Sequence, residues 1–296
     1  MIENTVTGAA STNARIIDRG YQHYDGERLG LAHSEWVMLW AALKRGVGLR
    51  RSFRHKIMPW LLIAVAFLPP VVILGIQVIL GRVLPSPYTR VYTRLVFVFV
   101  LFAGLVASDL LCADRRERVI SLYFSAPITR LHYVISQVIS LVTLLLLLTL
   151  VPYVMLFFGQ ALLAPEFGTF VSDNLSDLRN VLITGVLLAF FFGTLAMAVA
   201  SFTDRRAYAT GGFLGLVLVS SIAGGILSGS ERIQFNGHEW FSLIDLMSLP
   251  LRVMSWLFGD EPRALLVDGA NYLWASLAVI VLSLALVAWR YAKVSD

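Results

Sequence analysis

The chain has 296 residues, of which 57% are hydrophobic and only 15% charged, and its mean hydropathy is +0.74. A soluble domain carries about a quarter charged residues, so one water-soluble globule of this composition would have an almost wholly apolar surface. An ordinary cytosolic enzyme is excluded, and lipid is the solvent for most of the chain. The 24 Lys and Arg against 19 Asp and Glu leave a net charge of +5; in a membrane chain that excess poses a question of sidedness, and no nucleic-acid partner is expected.

Residues 1–33 form a polar N-terminal segment with no apolar period. No signal peptide is visible, because the first apolar run, after Lys56, is already long enough to span. Residues 34–56 follow as an amphipathic helix and a basic elbow. Trp36, Leu39, Trp40, Leu43 and Val47 share one helical face. A straight continuation puts Arg50, Arg51 and Arg54 on that same face, so the chain must turn near Gly46 and Gly48. The helix lies under the inner leaflet on this reading, or packs on a cytosolic partner.

Six spans are expected within 57–293, at about 57–80, 95–113, 134–158, 180–202, 207–229 and 269–289. Each is bounded by charges, since one charge at mid-bilayer costs ~2.5–3.5 kcal/mol on insertion scales. The fold class is therefore all-α integral membrane. With both termini cytosolic, 17 of the 24 cations fall on the inner side and 7 on the outer, as the positive-inside rule requires.

Between spans two and three, residues 114–125 read as a short charged helix ended by Pro127, and Thr129 can cap the next helix. The second inner loop, with Asp204, Arg205 and Arg206, is too short to dock as a helix. The segment 230–268 is interrupted by Glu239, Asp245, Pro250 and Arg252. It reads as a short amphipathic helical hairpin in or dipping into the outer leaflet, with its Trp residues at headgroup level.

Catalytic signatures are missing from the sequence. It holds one cysteine, Cys112, its five histidines have no metal-ligand spacing, and it has no GxxxxGK[ST] loop. The chain is read as no enzyme and as carrying no cofactor of its own. Asp109 is the carboxylate that falls within a span; it can reach the interface or pair with an Arg, whereas a proton relay needs a second acid or His at depth. Gly211 with Gly215 and Gly225 with Gly229 in span five, and Gly185, Ala189 and Gly193 in span four, are small-residue stripes. They serve packing within the six-helix unit or a seam between two such units that lines a pathway.

The arrangement of an amphipathic helix, six spans, a charged inter-span helix and an amphipathic outer loop resembles a type-2 ABC exporter permease. The sharpest local match is Cys112 to Gln137, CADRRERVISLYFSAPITRLHYVISQ. Glu117, Pro127, Thr129, Arg130 and Tyr133 stand at that family's motif positions, with Val119, Ile120 and Gln137 where it commonly has Gly, Thr and Lys. The resemblance implies a complex of two permease chains, identical or different, with two separate ABC ATPase subunits that carry ATP and Mg. Asp114, Arg115, Arg116, Glu117, Arg118, Pro127, Thr129 and Arg130 then form the ATPase-coupling region, with Asp204, Arg205 and Arg206 as a second contact. It places the chain in a prokaryotic inner or cytoplasmic membrane.

A physical case for coupling stands beside the resemblance. A rigid charged element joined stiffly to two spans is what transmits a motor's motion, although the same charges could only hold the spans in register. The expected function is export of a hydrophobic or amphipathic substrate, because the spans carry few polar side chains. The alternatives are an ion-gradient-driven transporter or channel and a non-transporting anchor or mechanotransmitter.

Overall fold

The computed structural model describes residues 30–49, 53–81, 88–116, 129–229, 238–259 and 266–293. All regular structure among the described residues is helical. The elements are α1 (Leu31–Gly46), α2 (Phe53–Leu80), α3 (Tyr88–Arg116), α4 (Arg130–Leu163), α5 (Phe167–Asp173), α6 (Leu175–Ala200), α7 (Arg206–Gly229), a 3-10 helix (His238–Ile244), α8 (Leu249–Phe258) and α9 (Gly269–Lys293). Helices α2, α3, α4, α6, α7 and α9 are long and apolar enough to cross a membrane, at the six places that charge spacing indicates.

The helices extend past the expected span limits because an interface tolerates charge that the hydrocarbon does not. Helix α3 begins at Tyr88, seven residues before the expected start. Tyr88 is buried and donates to Gln160 Oε1 at 2.8 Å, while Arg90 and Arg94 stand on the exposed side of the same turns. Helix α4 has 34 residues, about 51 Å at 1.5 Å per residue, so it projects beyond ~30 Å of hydrocarbon or tilts within it. Short α5, which the sequence reading did not anticipate, links α4 to α6.

Tyr88 meets Gln160 at one end of α3, and Asp114 meets Tyr133 at the other, so α3 and α4 are antiparallel. The C-termini of α1, α3, α6 and α9 and the N-termini of α4 and α7 gather at one end, called here the basic end. The centre of the bundle is α3, α4 and α6. In the most apolar stretches of α3 and α6, 72% and 78% of residues are buried, against 22% in α2 and 17% in α7, which places α2 and α7 on the flanks.

Without water to drive apolar surfaces together, spans associate through close packing and internal hydrogen bonds. Gly185 of α6 lies against Leu150 and the Thr149 carbonyl of α4, and Gly193 against Leu145 and Val142. Thr149 Oγ1 lies within hydrogen-bonding distance of the carbonyls of Leu145 and Gly185, the latter at 3.0 Å. Tyr92 donates to the Thr149 carbonyl at 2.8 Å and stacks on Tyr153 with ring centres 3.6 Å apart. Pro69 and Pro70 deny a helical partner to the carbonyls of Val65 and Ala66 in α2. Ala66 and Pro70 are buried, so this weakened stretch turns one side to protein rather than lipid.

Helix α1 ends where the glycines predict. Gly48 adopts φ +76°, and the amides of Gly48 and Leu49 return to the carbonyls of Arg45 and Lys44, a left-handed cap that glycine permits. Of the apolar stripe read from the sequence, Leu43 and Val47 pack against the core. Met38, Ala42 and Gly46 are buried, and a Cβ at Gly46 would collide with Leu144 and Val106. Trp36 and Trp40 instead stack on one another, 62% and 51% exposed, with Lys44 over Trp40. The helix therefore has a small-residue arc against protein and an indole arc turned outward. Hydropathy alone favours the indoles, but close approach to α4 selects the small side chains.

At the far end, α8 does more than lie on a surface. Leu249, Pro250, Leu251, Val253 and Met254 are buried against α3, α6 and α9, while Trp240 and Trp256 remain exposed. Asp245 accepts from the amides of Met247 and Ser248, and Pro250 sits in the first turn of α8. Gly259 closes the helix with φ +68°. Gly224 of α7 abuts the Asp245 backbone, and Gly269 of α9 accepts the Trp256 ring.

Candidate functional site

Several polar groups of the basic end, from five helices, converge on the last turn of α3. Asp114, Arg115 and Arg116 are that turn, continuous with the second span, and not the opening of a separate helix. Residues 117–128, with Glu117, Arg118 and Pro127, lie outside the described residues.

Asp114 is 1% exposed. Arg45, from the last turn of α1, donates to its Oδ1 at 2.5 Å, and Tyr133, from the first turn of α4, donates to its Oδ2 at 2.8 Å. One carboxylate thus joins three helices. Charge-assisted hydrogen bonds of this kind are about twice as strong as neutral ones, and a carboxylate buried so deeply requires them. Arg115 reaches the other way. It donates to the Ser201 carbonyl at the end of α6, lies 3.7 Å from Asp204 and stacks over Tyr291 of α9 at 4.9 Å. Tyr291 also packs on Tyr133, ring centres 6.0 Å apart. The ends of α1, α3, α4, α6 and α9 are therefore tied through two adjacent residues of α3.

Thr129 caps α4, accepting from the His132 amide at 3.4 Å, and Arg130 is half-buried. Arg116 is exposed. In the loop between α6 and α7, Arg206 pairs with Asp109 at 2.7 Å, while Asp204, near Arg115, and Arg205, over Tyr208, are exposed. Asp109 thus takes an arginine partner one turn before Cys112, whose thiol sits 3.3 Å from the Thr203 carbonyl. Asp114 and Arg115 look inward, leaving Arg116 as the member of the charged run that faces out at this end of α3.

Gly211, Gly215 and Gly225 of span five do not pack against the described residues. A Cβ at Gly211, Gly215 or Gly225 would meet nothing within 4 Å, and Tyr208, Val219, Ile222 and Ile226 on the same helix are all about 60% exposed. The side chains near Gly229 lie outside the described residues. The small-residue stripes are thus of two kinds, with Gly185, Ala189 and Gly193 buried inside the unit and Gly211, Gly215 and Gly225 on its outside.

Arg45, Ser201 and Tyr291 were not singled out by sequence reasoning. Arg45 lies 69 positions from Asp114, and its one visible signal is that of any cation in the last turn of a helix. Among the described residues no group of three or more His, Cys, Asp and Glu could hold a metal ion.

Comparison with known families adds one finding. The family model described as "ABC-2 family transporter protein" matches residues 4–295, nearly the whole chain. No curated protein matches the chain.

Proposed function

The chain belongs to the ABC-2 transporter family, and we propose that it is the membrane subunit of an ABC exporter, driven by separate ATPase chains. Two permease chains, identical or different, pair with two ATPases, which bind the ATP and Mg. Both termini and the basic end face the cytosol. The segment between Arg116 and Thr129 is the ATPase docking element, and export carries a hydrophobic or amphipathic substrate.

The observation that carries this reading is the Asp114–Tyr133 hydrogen bond with its Arg45 partner. It ties together the two helix ends from which residues 117–128 depart. A push on that segment is thereby delivered at once to α1, α3 and α4, and through Arg115 to α6 and α9. Rigid junctions of this kind transmit motion instead of absorbing it. The outward glycines of α7 support a seam with the second permease, because small residues let helix backbones approach. Pairing of Asp109 with Arg206 favours an ATP-driven device over an ion-gradient one, which requires a titrating partner at depth.

The test is co-purification with the ATPase encoded beside the permease. Arg116→Ala and Glu117→Ala should weaken complex formation and lower transport-coupled ATP hydrolysis without altering the fold of the isolated permease. If both variants assemble and couple like wild type, the docking assignment is wrong.

A further inference from the structure

Helix α1 is fastened to the bundle at two places that differ in chemistry. Near its C-terminal end Arg45 reaches the buried carboxylate of Asp114, and Gly46 abuts Val106 of α3 and Leu144 of α4. Arginine does not titrate in proteins, so the cation of this tie is permanent. Ten residues earlier, about 15 Å along the helix, Glu35 Oε1 pairs with Nδ1 of His132 in the first turn of α4. An imidazole is charged only when protonated, and its charge is the one that ordinarily changes between about pH 5 and 8.

The first turns of α1 have little else to hold them. Before Met38 no described side chain of the helix is buried, and Gly30 offers the helix start no side-chain cap. An open groove of about 310 Å³ separates Trp36 and Leu39 of α1 from Ile135 and Ile139 of α4; Trp36, Ile135 and Ile139 remain exposed, so apolar contact across it is partial. Glu35 and His132 are the titratable side chains in the lining of that groove. On α4 itself the first turn carries Arg130 and no acid, and Tyr133 turns away to Asp114. On α1, His33 is exposed. Among the described residues, the carboxylate that balances a protonated His132 therefore comes from α1. The His132 and Glu35 side chains are 39% and 41% exposed, and such a pair adds little to a large interface. Here it is the charged contact of two turns that bury nothing.

We infer that the Glu35–His132 pair is a proton-operated catch for the N-terminal turns of α1. While His132 is protonated, the pair is charged on both sides and holds these turns on α4. As pH rises through the His132 titration the imidazolium gives up its proton and the attraction falls. Helix α1 is thus held at acid pH and loosened at alkaline pH, with the Arg45–Asp114 contact as the fixed point. The inference concerns only the contact of α1 with α4 and does not depend on the docking assignment.

The test is hydrogen–deuterium exchange of the full chain in detergent micelles at about pH 5.5 and about pH 8.5, on either side of the ordinary imidazole titration. It is read on peptides covering residues 31–39, with residues 40–46 as the internal control. Glu35→Gln and His132→Gln remove the ion pair with little change of bulk, and comparing each with wild type at one pH cancels the intrinsic pH dependence of exchange. At the acid pH, wild type should be protected over 31–39 about twofold to fivefold more than either variant, the range that a partly exposed pair supplies. At the alkaline pH the three should be equal, and the double variant should match the singles at both. His132→Lys, whose charge persists, should keep its protection at the alkaline pH. Residues 40–46 should exchange alike in all, with thermal unfolding at each pH showing that every variant is folded. A wild-type advantage over Glu35→Gln that is the same at both pH values, or absent at both, overturns the inference. So does a His132→Lys variant whose protection follows pH as that of wild type does, since another group would then be titrating.

Discussion

Arg45→Ala and Asp114→Asn should destabilise the permease unequally, and the inequality can be worked from burial. Arg45→Ala strands a carboxylate that is 1% exposed. Removing one partner of a buried pair costs ~3–5 kcal/mol, and the 21% exposure of the Arg45 side chain places this case near ~3 kcal/mol. Asp114→Asn keeps the shape and one of the two acceptor oxygens, so one hydrogen bond is lost and the other loses its charge assistance. That loss is ~1.5–3 kcal/mol. In the double variant the neutral Asn no longer needs the missing cation, so its cost should fall short of the sum by ~1–2 kcal/mol, within the range measured for contacting residues. The assay is reversible unfolding of the purified permease in micelles, with all four proteins compared in one detergent. A second readout is the ratio of substrate moved to ATP hydrolysed in the assembled complex, which should drop in Arg45→Ala even at temperatures where the protein remains folded. Additivity within ~0.3 kcal/mol, the value expected for independent sites, would refute the coupled cluster. So would Arg45→Ala being no worse than Asp114→Asn.

Further expectations test other contacts. Gly224→Ala places a Cβ 2.8 Å from Asp245 Cβ and 3.0 Å from its backbone nitrogen. Neither atom can rotate away, so it should cost ~1–3 kcal/mol of overpacking and increase protease cleavage in the 238–259 hairpin; Gly225→Ala, which meets nothing within 4 Å, should match or slightly exceed wild-type stability. Cys112, the only cysteine in the chain and 1% exposed, should resist a water-soluble maleimide until the protein is unfolded, as judged by mass shift. In the Cys112→Ser background, Gly215→Cys should form a disulfide-linked permease pair in membranes, while a cysteine at Gly193, buried inside the unit, should not; equal cross-linking at both positions would remove α7 from the seam.

The spans were legible because each crossing requires about 20 apolar residues, and charge marks the limits of that slab. It does not mark the limits of a helix. Tyr88, Arg90 and Arg94 belong to α3 because a helix end can carry cations into the headgroups, so counting between charges made the second span too short. The turn at Gly46 and Gly48 was legible for a local reason: three arginines could not follow on a greasy face. Which face of α1 meets protein was not, since Trp36 and Trp40 dominate any hydropathy measure while Met38, Ala42 and Gly46 make the approach. Asp114 and Arg115 were picked out by their place in a charged run. Their inward direction depends on Arg45 and Ser201, 69 and 86 positions away, and no spacing rule reaches that far.

The same distances suggest how stiffness is distributed. Helices α4 and α6 meet at Gly185 and Gly193, buried hydrogen bonds from Tyr88 and Tyr92 join α3 to α4, and Asp114 and Arg115 tie the three helices at their basic end. Helix α7 is different: Ala209, Phe213, Val217 and Ser220 are buried along one face, and the opposite face, with Tyr208, Val219, Ile222 and Ile226, is exposed. Near the basic end Arg206 pairs with Asp109, and Thr210 and Phe213 pack on Gly104 of α3. At the far end Gly224 abuts Asp245, and Ser220 Oγ accepts from the Leu246 amide at 3.3 Å. A helix anchored near both ends links what happens at one end to the other. Motion of the basic end would therefore reach the 238–259 hairpin through α7, with the α3–α4–α6 core as the frame against which α7 is displaced.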